Sequence, residues 1–185
     1  MPRATELAHL LLSRSIRPGD CVVDATVGNG HDTLFLAQCV GASGCVIGFD
    51  VQETAIEAAA RRLGDHPQVT LICKSHEHLS VSLPDDARGR LAAVMFNLGY
   101  LPGAEKTITT RAETTLAALE QALAEIKAGG VVTLIVYPGH PGGAEEADAV
   151  RSHAENLPPM FSASSFLRLN ARSSAPGLVT IERLE

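Results

Sequence analysis

Aromatic residues are scarce in this sequence. It has no Trp, two Tyr and five Phe, which together make up 4% of its 185 residues. A protein that stacks successive bases of single-stranded nucleic acid needs several aromatic rings on its surface, so this mode of binding is not expected. Cations are scarce as well, because 15 Lys and Arg residues stand against 21 Asp and Glu residues, for a formal net charge of −6. This charge excludes a general nucleic-acid coat protein.

C-x-x-C pairs and long apolar runs are both missing. The four cysteines are Cys21, Cys39, Cys45 and Cys73, and three of them lie in apolar, strand-like runs. A free Cys behaves there as a small hydrophobic residue, so we expect structural thiols rather than a metal site or disulfides. No window approaches 18 apolar residues, and the N-terminus has no leader-like apolar stretch. The sequence thus predicts a reduced, cytoplasmic protein with no membrane partner.

The composition that remains is that of a globular domain. Hydrophobic residues make up 45% of the chain and charged residues 19%, and there is no repeat, linker or low-complexity segment. A chain of this length and composition predicts one domain over residues 1–185.

Short apolar runs alternate with stretches of helical periodicity. The runs predict strands at Cys21–Ala25, Cys45–Asp50, Val69–Cys73, Leu91–Asn97 and Val131–Tyr137. The periodic stretches predict helices at residues 7–16, 31–40, 53–63, 110–127 and 145–156. In the second of these, Leu34, Phe35 and Ala37 are expected to face inward.

The tail has a different pattern. Residues 162–170 and 177–184 alternate apolar and polar side chains, as an antiparallel pair would. Five β-then-α units followed by such a hairpin predict an α/β fold with a doubly wound, mostly parallel sheet.

The loop after the first predicted strand, Asp24–Thr33, is a candidate ligand site. Open α/β sheets bind ligands at the carboxyl ends of their strands, and Gly28 and Gly30 let a ligand approach the backbone closely. Asp50 ends the second strand twenty residues after Gly30, where a carboxylate can accept from both hydroxyls of a ribose. The pattern favours a nucleoside site over a plain strand-to-helix turn.

The charges of this loop help to choose the nucleoside. The dinucleotide fingerprint needs a third small residue, and position 33 is Thr. Asp24 and Asp32 would repel a pyrophosphate at the start of the helix, whereas a cofactor with positive charge would suit them. S-adenosylmethionine carries both a sulfonium and an amino group. No G-x-x-x-x-G-K-[ST] motif occurs, which excludes a P-loop.

Three segments carry a resemblance to a known family. Asp24–Thr33 with Asp50 is similar to the first two motifs of class I S-adenosylmethionine-dependent methyltransferases. Together with Phe96–Gly103 and Val136–His140, it resembles a bacterial family labelled "putative rRNA methylase". The resemblance spans nearly the whole chain. It implies a Rossmann-like class I methyltransferase fold with a seven-stranded sheet and an antiparallel C-terminal hairpin.

The resemblance also implies a cofactor and a reaction. The cofactor is S-adenosylmethionine, and members of the family are assigned to the tRNA wobble uridine, where they convert 5-aminomethyl-2-thiouridine to 5-methylaminomethyl-2-thiouridine. The partner is then the anticodon region of tRNA. The candidate cofactor-binding residues are Asp24, Thr26, Gly28, Asn29, Gly30, His31, Asp32, Thr33, Asp50, Gln52, Ser75, His76 and Asn97. No metal ligand is expected.

Asn97–Tyr100, at the end of the fourth predicted strand, points to transfer to an amine. It is similar to the [D/N]-P-P-[Y/F] motif of amino-group methyltransferases, with Leu-Gly in place of Pro-Pro. The amide oxygen of Asn97 can accept a hydrogen bond from the target amine, and the ring of Tyr100 can pack against a base. Asn97 and Tyr100 are therefore the candidate catalytic residues; the alternative is a turn in which Asn97 satisfies local backbone.

The substrate side has further candidates. An ammonium group must lose a proton before transfer, and Asp32, His31, Tyr100 and His140 are candidate bases, although in-line transfer can proceed with none. The candidate substrate-binding residues are Leu98, Gly99, Tyr100, Lys106, Arg111 and His140. The cations available for RNA are Arg14, Arg17, Lys106, Arg111, Arg168 and Arg172.

Two histidine segments have more than one interpretation. Lys74–Glu77 follows the third strand and can contact an adenine or form a solvated loop; a zinc site at His76-x-His78 is disfavoured because no cysteine or acidic cluster supports it. His140 lies in a Pro- and Gly-rich loop. It can face the substrate, or the segment can be a simple loop without a role in binding.

Other functions are open at this point. One alternative is a methyltransferase that acts on rRNA, a small molecule or a protein amine, and a second is a nucleoside-binding module without catalysis. The amine-orienting motif disfavours the second. A homodimer is plausible, because a chain this short has no separate RNA-binding domain.

Overall fold

The computed structural model describes residues 3–101, 108–172 and 174–185. Strands and helices alternate along most of the chain. The strands are β1 (Cys21–Asp24), β2 (Cys45–Asp50), β3 (Val69–Cys73), β4 (Leu91–Asn97), β5 (Ile126–Val136), β6 (Phe161–Phe166) and β7 (Gly177–Arg183). The helices are α1 (Ala4–Ser15), α2 (His31–Val40), α3 (Glu53–Leu63), α4 (Leu79–Ser82), α5 (Ala112–Glu125) and α6 (Gly143–Glu155).

The seven strands form one sheet in the order β3-β2-β1-β4-β5-β7-β6. Strands β1 to β5 are parallel, whereas β7 runs antiparallel to both β5 and β6. The chain order reverses between β1 and β4, so the carboxyl ends of these two strands border the crevice in which such sheets bind ligands. The doubly wound sheet with its antiparallel hairpin confirms the predicted fold class.

Each central strand sends alternate side chains to the two faces of the sheet. Val22 packs in a core with Leu12 of α1 and Leu36 of α2. Val23, its neighbour, packs on the other face in a core that includes Leu119 of α5. All these side chains are at most 2% exposed. The helices therefore cover both faces, and the strands are held rigidly beneath the site at their carboxyl ends.

The predicted inward face of α2 needs a correction. Ala37 is buried, but Leu34 and Phe35 are only partly buried, while Leu36 and Val40 are completely buried. The buried face of α2 is therefore rotated about the helix axis from the predicted one. Leu34 packs against a separate small cluster around Val27 and Leu63 and not in the main core.

The predicted end of helix 110–127 is wrong. Helix α5 ends at Glu125, and Ile126 already pairs with Leu91 in the sheet. The register shifts between Leu91 and Ala93, where β5 accommodates its extra residues before Val131. A buried Ile fits a helical stripe as well as a strand, so periodicity alone placed this boundary too late.

The predicted strand 162–170 is also corrected. Strand β6 ends at Phe166, and its side chains after Phe161 are exposed instead of alternating. It lies at the edge of the sheet, where only β7 pairs with it. Among the residues that the structure describes, no helix is long and apolar enough to cross a membrane.

Candidate functional site

A cavity of about 700 Å³ opens at the carboxyl ends of the parallel strands. Its walls come from the loops after β1, β2, β3, β4 and β5, which are far apart in sequence. This volume is typical of a ligand site and exceeds what a turn alone would leave. The sheet thus brings the sequence motifs together at one place.

Most predicted site residues line this cavity. They are Thr26, Gly28, Asn29, His31, Asp32, Asp50, Gln52, Ser75, His76, Asn97, Leu98, Gly99, Tyr100, Arg111 and His140. Asp24, Gly30 and Thr33 are not part of its lining. Lys106, together with Pro102 and Gly103 of the fourth-strand motif, lies outside the described residues.

Asp24 supports the loop from behind. It is completely buried, and its carboxylate accepts hydrogen bonds from Thr33 Oγ1 at 2.6 Å and from the Thr26 amide at 3.1 Å. Burial, together with the nearby Asp32, raises the pKa of Asp24 to about 7. The predicted contact of Asp24 and Thr33 with a ligand stays a prediction; in the structure the two side chains bond to each other behind the cavity wall.

Gly30 has a packing role. Its φ of +78° belongs to the left-handed region, and an added Cβ would lie 2.8 Å from Ala59 Cα of helix α3. Only glycine fits at this position, because both the backbone conformation and the close helix exclude a side chain.

The buried charge of Asp24 predicts a pH-dependent stability. The pKa of Asp24 is higher in the folded than in the unfolded protein, so folding favours its protonated form. Its contribution to the free energy of unfolding is therefore full below about pH 4 and is lost as the pH rises through about 7. Asp24→Asn stays uncharged throughout. Between about pH 5 and pH 8 we expect wild type to lose thermal stability relative to Asp24→Asn, by roughly 5 °C, in thermal denaturation. The exposed Asp65→Asn is the control. If the difference in melting temperature between wild type and Asp24→Asn is the same at both pH values, Asp24 does not lose its proton in this range and the prediction is wrong.

Asp50 is placed to receive two hydroxyls. At the end of β2, its two oxygens accept from the Gly28 amide at 2.8 Å and from the Gln52 amide at 2.9 Å. Both donors come from cavity-lining residues, and each carboxylate oxygen keeps a second lone pair. A vicinal diol such as that of a ribose fits this carboxylate.

His76 offers an unused acceptor. Its Nδ1 lies 3.0 Å from the carbonyl oxygen of Ala25, which can only accept, so Nδ1 carries the proton. Burial lowers the pKa of His76, so Nε2 is an unprotonated acceptor. In the part of the chain that the structure describes, this buried Nε2 has no hydrogen-bond partner. The solvated-loop interpretation is wrong for His76, whose geometry suits an amino donor such as that of adenine.

No metal site emerges around the histidines. Within residues 3–101, 108–172 and 174–185, no three His, Cys, Asp or Glu side chains come together as a metal ion would require. His78 instead lies on the surface beside Glu77.

Asn97 has a fixed amide. Its Nδ2 donates to Asp32 Oδ2 at 2.9 Å, and its backbone amide donates to Thr26 Oγ1 at 2.7 Å. Because Asn97 lines the cavity, its amide oxygen can accept a hydrogen bond there. The alternative, in which the Asn97 side chain satisfies local backbone, does not describe this geometry, since its amide partner is a side chain 65 residues away.

Tyr100 and His140 lie together on the part of the cavity wall that follows β4 and β5. Tyr100 is 39% exposed, and its ring meets the edge of His140 with centroids 6.0 Å apart. His140 Nδ1 donates to the carbonyl oxygen of Pro141 at 3.0 Å, while its Nε2 is buried without a hydrogen-bond partner among the described residues. An aromatic ring and an unused acceptor thus lie side by side on the cavity wall.

Two residues that bond to cavity-lining side chains were not predicted from the sequence. Glu146 of α6 is 1% exposed and accepts from Thr110 Oγ1 at 2.8 Å and Thr115 Oγ1 at 2.7 Å. His9 of α1 contacts Asp32 Oδ1 at 2.7 Å. Neither residue belongs to one of the motifs, and the packing of α1 and α6 against the sheet brings them to residues that line the cavity.

Two solved structures with this architecture are described as methylases or methyltransferases. A "putative rRNA-methylase" from Clostridium thermocellum is 36% identical, with a TM-score of 0.94 and coverage of 100% of this chain and 99% of that one. A "putative methyltransferase" from Streptococcus mutans, solved in complex with SAH, is 33% identical, with a TM-score of 0.88 and the same coverage. Fold, site and these relatives define an S-adenosylmethionine-dependent methyltransferase of the Rossmann-like type, and the cofactor prediction is confirmed.

Sequence comparison identifies the family. The family model described as "Putative rRNA methylase" matches residues 46–182, and the chain belongs to this family. It is also 40% identical to the chloroplastic tRNA (mnm(5)s(2)U34)-methyltransferase of Arabidopsis thaliana over 195 aligned positions. This alignment covers 99% of this chain and 70% of that protein. The family resemblance stated from the motifs is confirmed.

Proposed function

We propose that this protein methylates the 5-aminomethyl nitrogen of 5-aminomethyl-2-thiouridine at the wobble position of tRNA. The observation that carries the proposal is the Asn97 amide, whose nitrogen is held by Asp32 and whose oxygen is left to orient a target amine. The name of the Arabidopsis relative, a tRNA (mnm(5)s(2)U34)-methyltransferase, supports this choice of substrate.

The cofactor side is assigned to the loops after β1, β2 and β3. Asp50 would hold the ribose hydroxyls, His76 Nε2 would accept from the adenine amino group, and Asp32 would place negative charge near the cationic methionine portion. When bound, S-adenosylmethionine supplies an electrophilic methyl group. Asp24 and Thr33 keep the first loop in shape, and Gly28 leaves its backbone open to the ligand.

The substrate side is assigned to the loops after β4 and β5. Tyr100 would pack against the unpaired base, because an aromatic face suits an extruded nucleobase. The Asn97 oxygen would hold the amine with its lone pair toward the methyl group. Of the candidate bases, His140 is best placed to accept the proton of the amine, because its Nε2 has no hydrogen-bond partner among the described residues. Both oxygens of Asp32, by contrast, already bond to His9 and Asn97.

The RNA contacts are assigned to the rim. Arg111 is exposed and lines the cavity at the start of α5, where it can meet a phosphate. The net charge of −6 limits such contacts to a small region, so recognition falls mainly on the modified base. A homodimer would widen this surface; a monomeric mass in light scattering at the assay concentration would contradict that part of the proposal.

The proposal is tested by mass spectrometry of tRNA nucleosides from a strain that lacks this protein. Loss of 5-methylaminomethyl-2-thiouridine with accumulation of 5-aminomethyl-2-thiouridine is the expected result, and return of the wild-type chain should reverse it. Unchanged 5-methylaminomethyl-2-thiouridine would reject the tRNA substrate and favour rRNA, a small molecule or a protein amine.

Glu146 predicts a separate effect on substrate binding. Thr110 Oγ1 donates to Glu146 and accepts from the Gly99 amide at 2.8 Å, so Glu146 anchors the substrate loop to α6. Glu146→Ala leaves two hydroxyls without their acceptor, and we expect the KM for tRNA to rise about tenfold. Cofactor affinity should stay near wild type in calorimetry. Glu145→Ala, its exposed neighbour, is the control; an unchanged KM would contradict the anchor.

A further inference from the structure

The N-terminal helix α1 reaches the catalytic motif through one chain of contacts. His9 Nε2 lies 2.7 Å from Asp32 Oδ1, and Asn97 Nδ2 lies 2.9 Å from Asp32 Oδ2. Asp32 lies at the start of α2 and Asn97 at the end of β4, so three separate elements meet at one carboxylate. Asp32 and Asn97 line the cavity, whereas His9 stands behind them.

The Asp32 carboxylate determines which way the Asn97 amide points. Asp32 Oδ2 accepts the hydrogen bond from Asn97 Nδ2, so it selects the orientation in which the Asn97 nitrogen faces it. The flipped amide would set its oxygen against Asp32 Oδ2 and turn two donors toward the cavity. A donor in that place would compete with the N–H groups of the target amine, and the acceptor that orients it would be lost.

His9 in turn holds Asp32. Because Asp32 Oδ1 can only accept, His9 Nε2 supplies the proton, and the bond is partly buried, with side-chain exposures of 27% for His9 and 9% for Asp32. The ring of His9 stacks on Phe35 of α2 at a centroid distance of 3.9 Å and an interplanar angle of 7°. The stack fixes the ring plane, and so the carboxylate has each oxygen bound to a different donor.

A second contact joins α1 to the same wall. Tyr137, which lines the cavity, packs against the same hydrophobic core as the inner face of α1. Leu12 and Ala8 of the helix are completely buried in the core beneath. Helix α1 is therefore anchored well enough to position a side chain.

We propose that His9 is a positioning residue of the transfer reaction, which acts through Asp32 to keep the Asn97 oxygen toward the target amine. As a kinetic statement the inference rests on the proposed function, since it needs an amine acceptor. Its structural half, the control of the Asn97 amide by His9, holds whatever the substrate is.

The kinetic test compares His9 variants on tRNA that carries 5-aminomethyl-2-thiouridine. His9→Ala should lower kcat about 10- to 100-fold, with the dissociation constant of S-adenosylmethionine within about twofold of wild type. His9→Gln should restore most of the rate, since its Nε2 can donate as the histidine Nε2 does. His153→Ala, on the distant helix α6, is the matched control.

A double-mutant cycle separates positioning from general destabilisation. If His9 acts through Asn97, His9→Ala should slow an Asn97→Ala enzyme by less than about twofold. Additive losses, an unchanged kcat in His9→Ala, or no rescue by His9→Gln would each overturn the proposal.

The structural half is measured without any substrate. In NMR spectra, the Asn97 side-chain amide, identified by its absence in Asn97→Ala, should exchange slowly in wild type and faster in His9→Ala. An unchanged exchange rate would overturn the proposal. If wild type transfers no methyl group to this tRNA, the proposed function fails, and the exchange measurement still decides the role of His9.

Discussion

Asn97→Ala is expected to lower kcat about 100-fold while the enzyme still binds S-adenosylmethionine. The variant removes the amide oxygen that we propose orients the amine, and it leaves unchanged Asp50 and His76, which we propose bind the cofactor. Misplacing a reacting group by a short distance costs about this much in rate. Single-turnover methyl transfer, together with calorimetry of the cofactor, measures the two effects separately.

Two further variants sharpen the result. Asn97→Asp keeps the size of the side chain but puts a carboxylate oxygen in place of the amide nitrogen, which lies 2.9 Å from Asp32 Oδ2. Because two carboxylates at this distance repel each other, this variant should be at least as slow as Asn97→Ala. Asn156→Ala, an exposed residue at the end of α6, should transfer at the wild-type rate. An Asn97→Ala enzyme with full activity would remove Asn97 from the site.

Asp50→Ala is expected to weaken S-adenosylmethionine binding about 100-fold. The variant loses the acceptor that we propose for the ribose hydroxyls, and each hydrogen bond to a charged group contributes about 1.5–3 kcal/mol. It also frees the Gly28 and Gln52 amides, which the carboxylate now holds in the cavity wall. Calorimetry with S-adenosylmethionine measures the loss, and at saturating cofactor kcat should recover toward wild type.

Asp50→Asn distinguishes the two contributions. It keeps one oxygen for a backbone amide, so the loop is partly preserved while one ribose partner is lost, and its affinity should lie between those of wild type and Asp50→Ala. Asp65→Ala, an exposed carboxylate, is the control. Wild-type affinity in Asp50→Ala would contradict the cofactor assignment.

The fold was predictable because each signal was local. β2, β3, β4, α2 and α3 have the predicted bounds, since a short apolar run between polar turns specifies a buried strand. The start of β5 was missed, because Ile126 is buried in the sheet and a buried Ile serves helix and strand equally. The exposure of β6 depends on its edge position, which only the assembled sheet determines.

The candidate site was predictable where the topology rule applied. Loops at the carboxyl ends of parallel strands must meet, which placed Asp50, His76 and Asn97 together. The burial of Asp24 behind the wall depends on the packing of α2 on β1 and leaves no trace in the motif. His9 is separated from Asp32 by 23 positions and Glu146 from Thr110 by 36, so no local pattern marks these contacts.

The most direct test supplies purified protein with tRNA bearing 5-aminomethyl-2-thiouridine and with S-adenosylmethionine labelled at its methyl group. Nucleoside mass spectrometry should then find the label on the aminomethyl nitrogen of the wobble uridine, in wild type and not in Asn97→Ala. Label that stays on the cofactor, or that appears on rRNA or another nucleoside instead, would contradict the account.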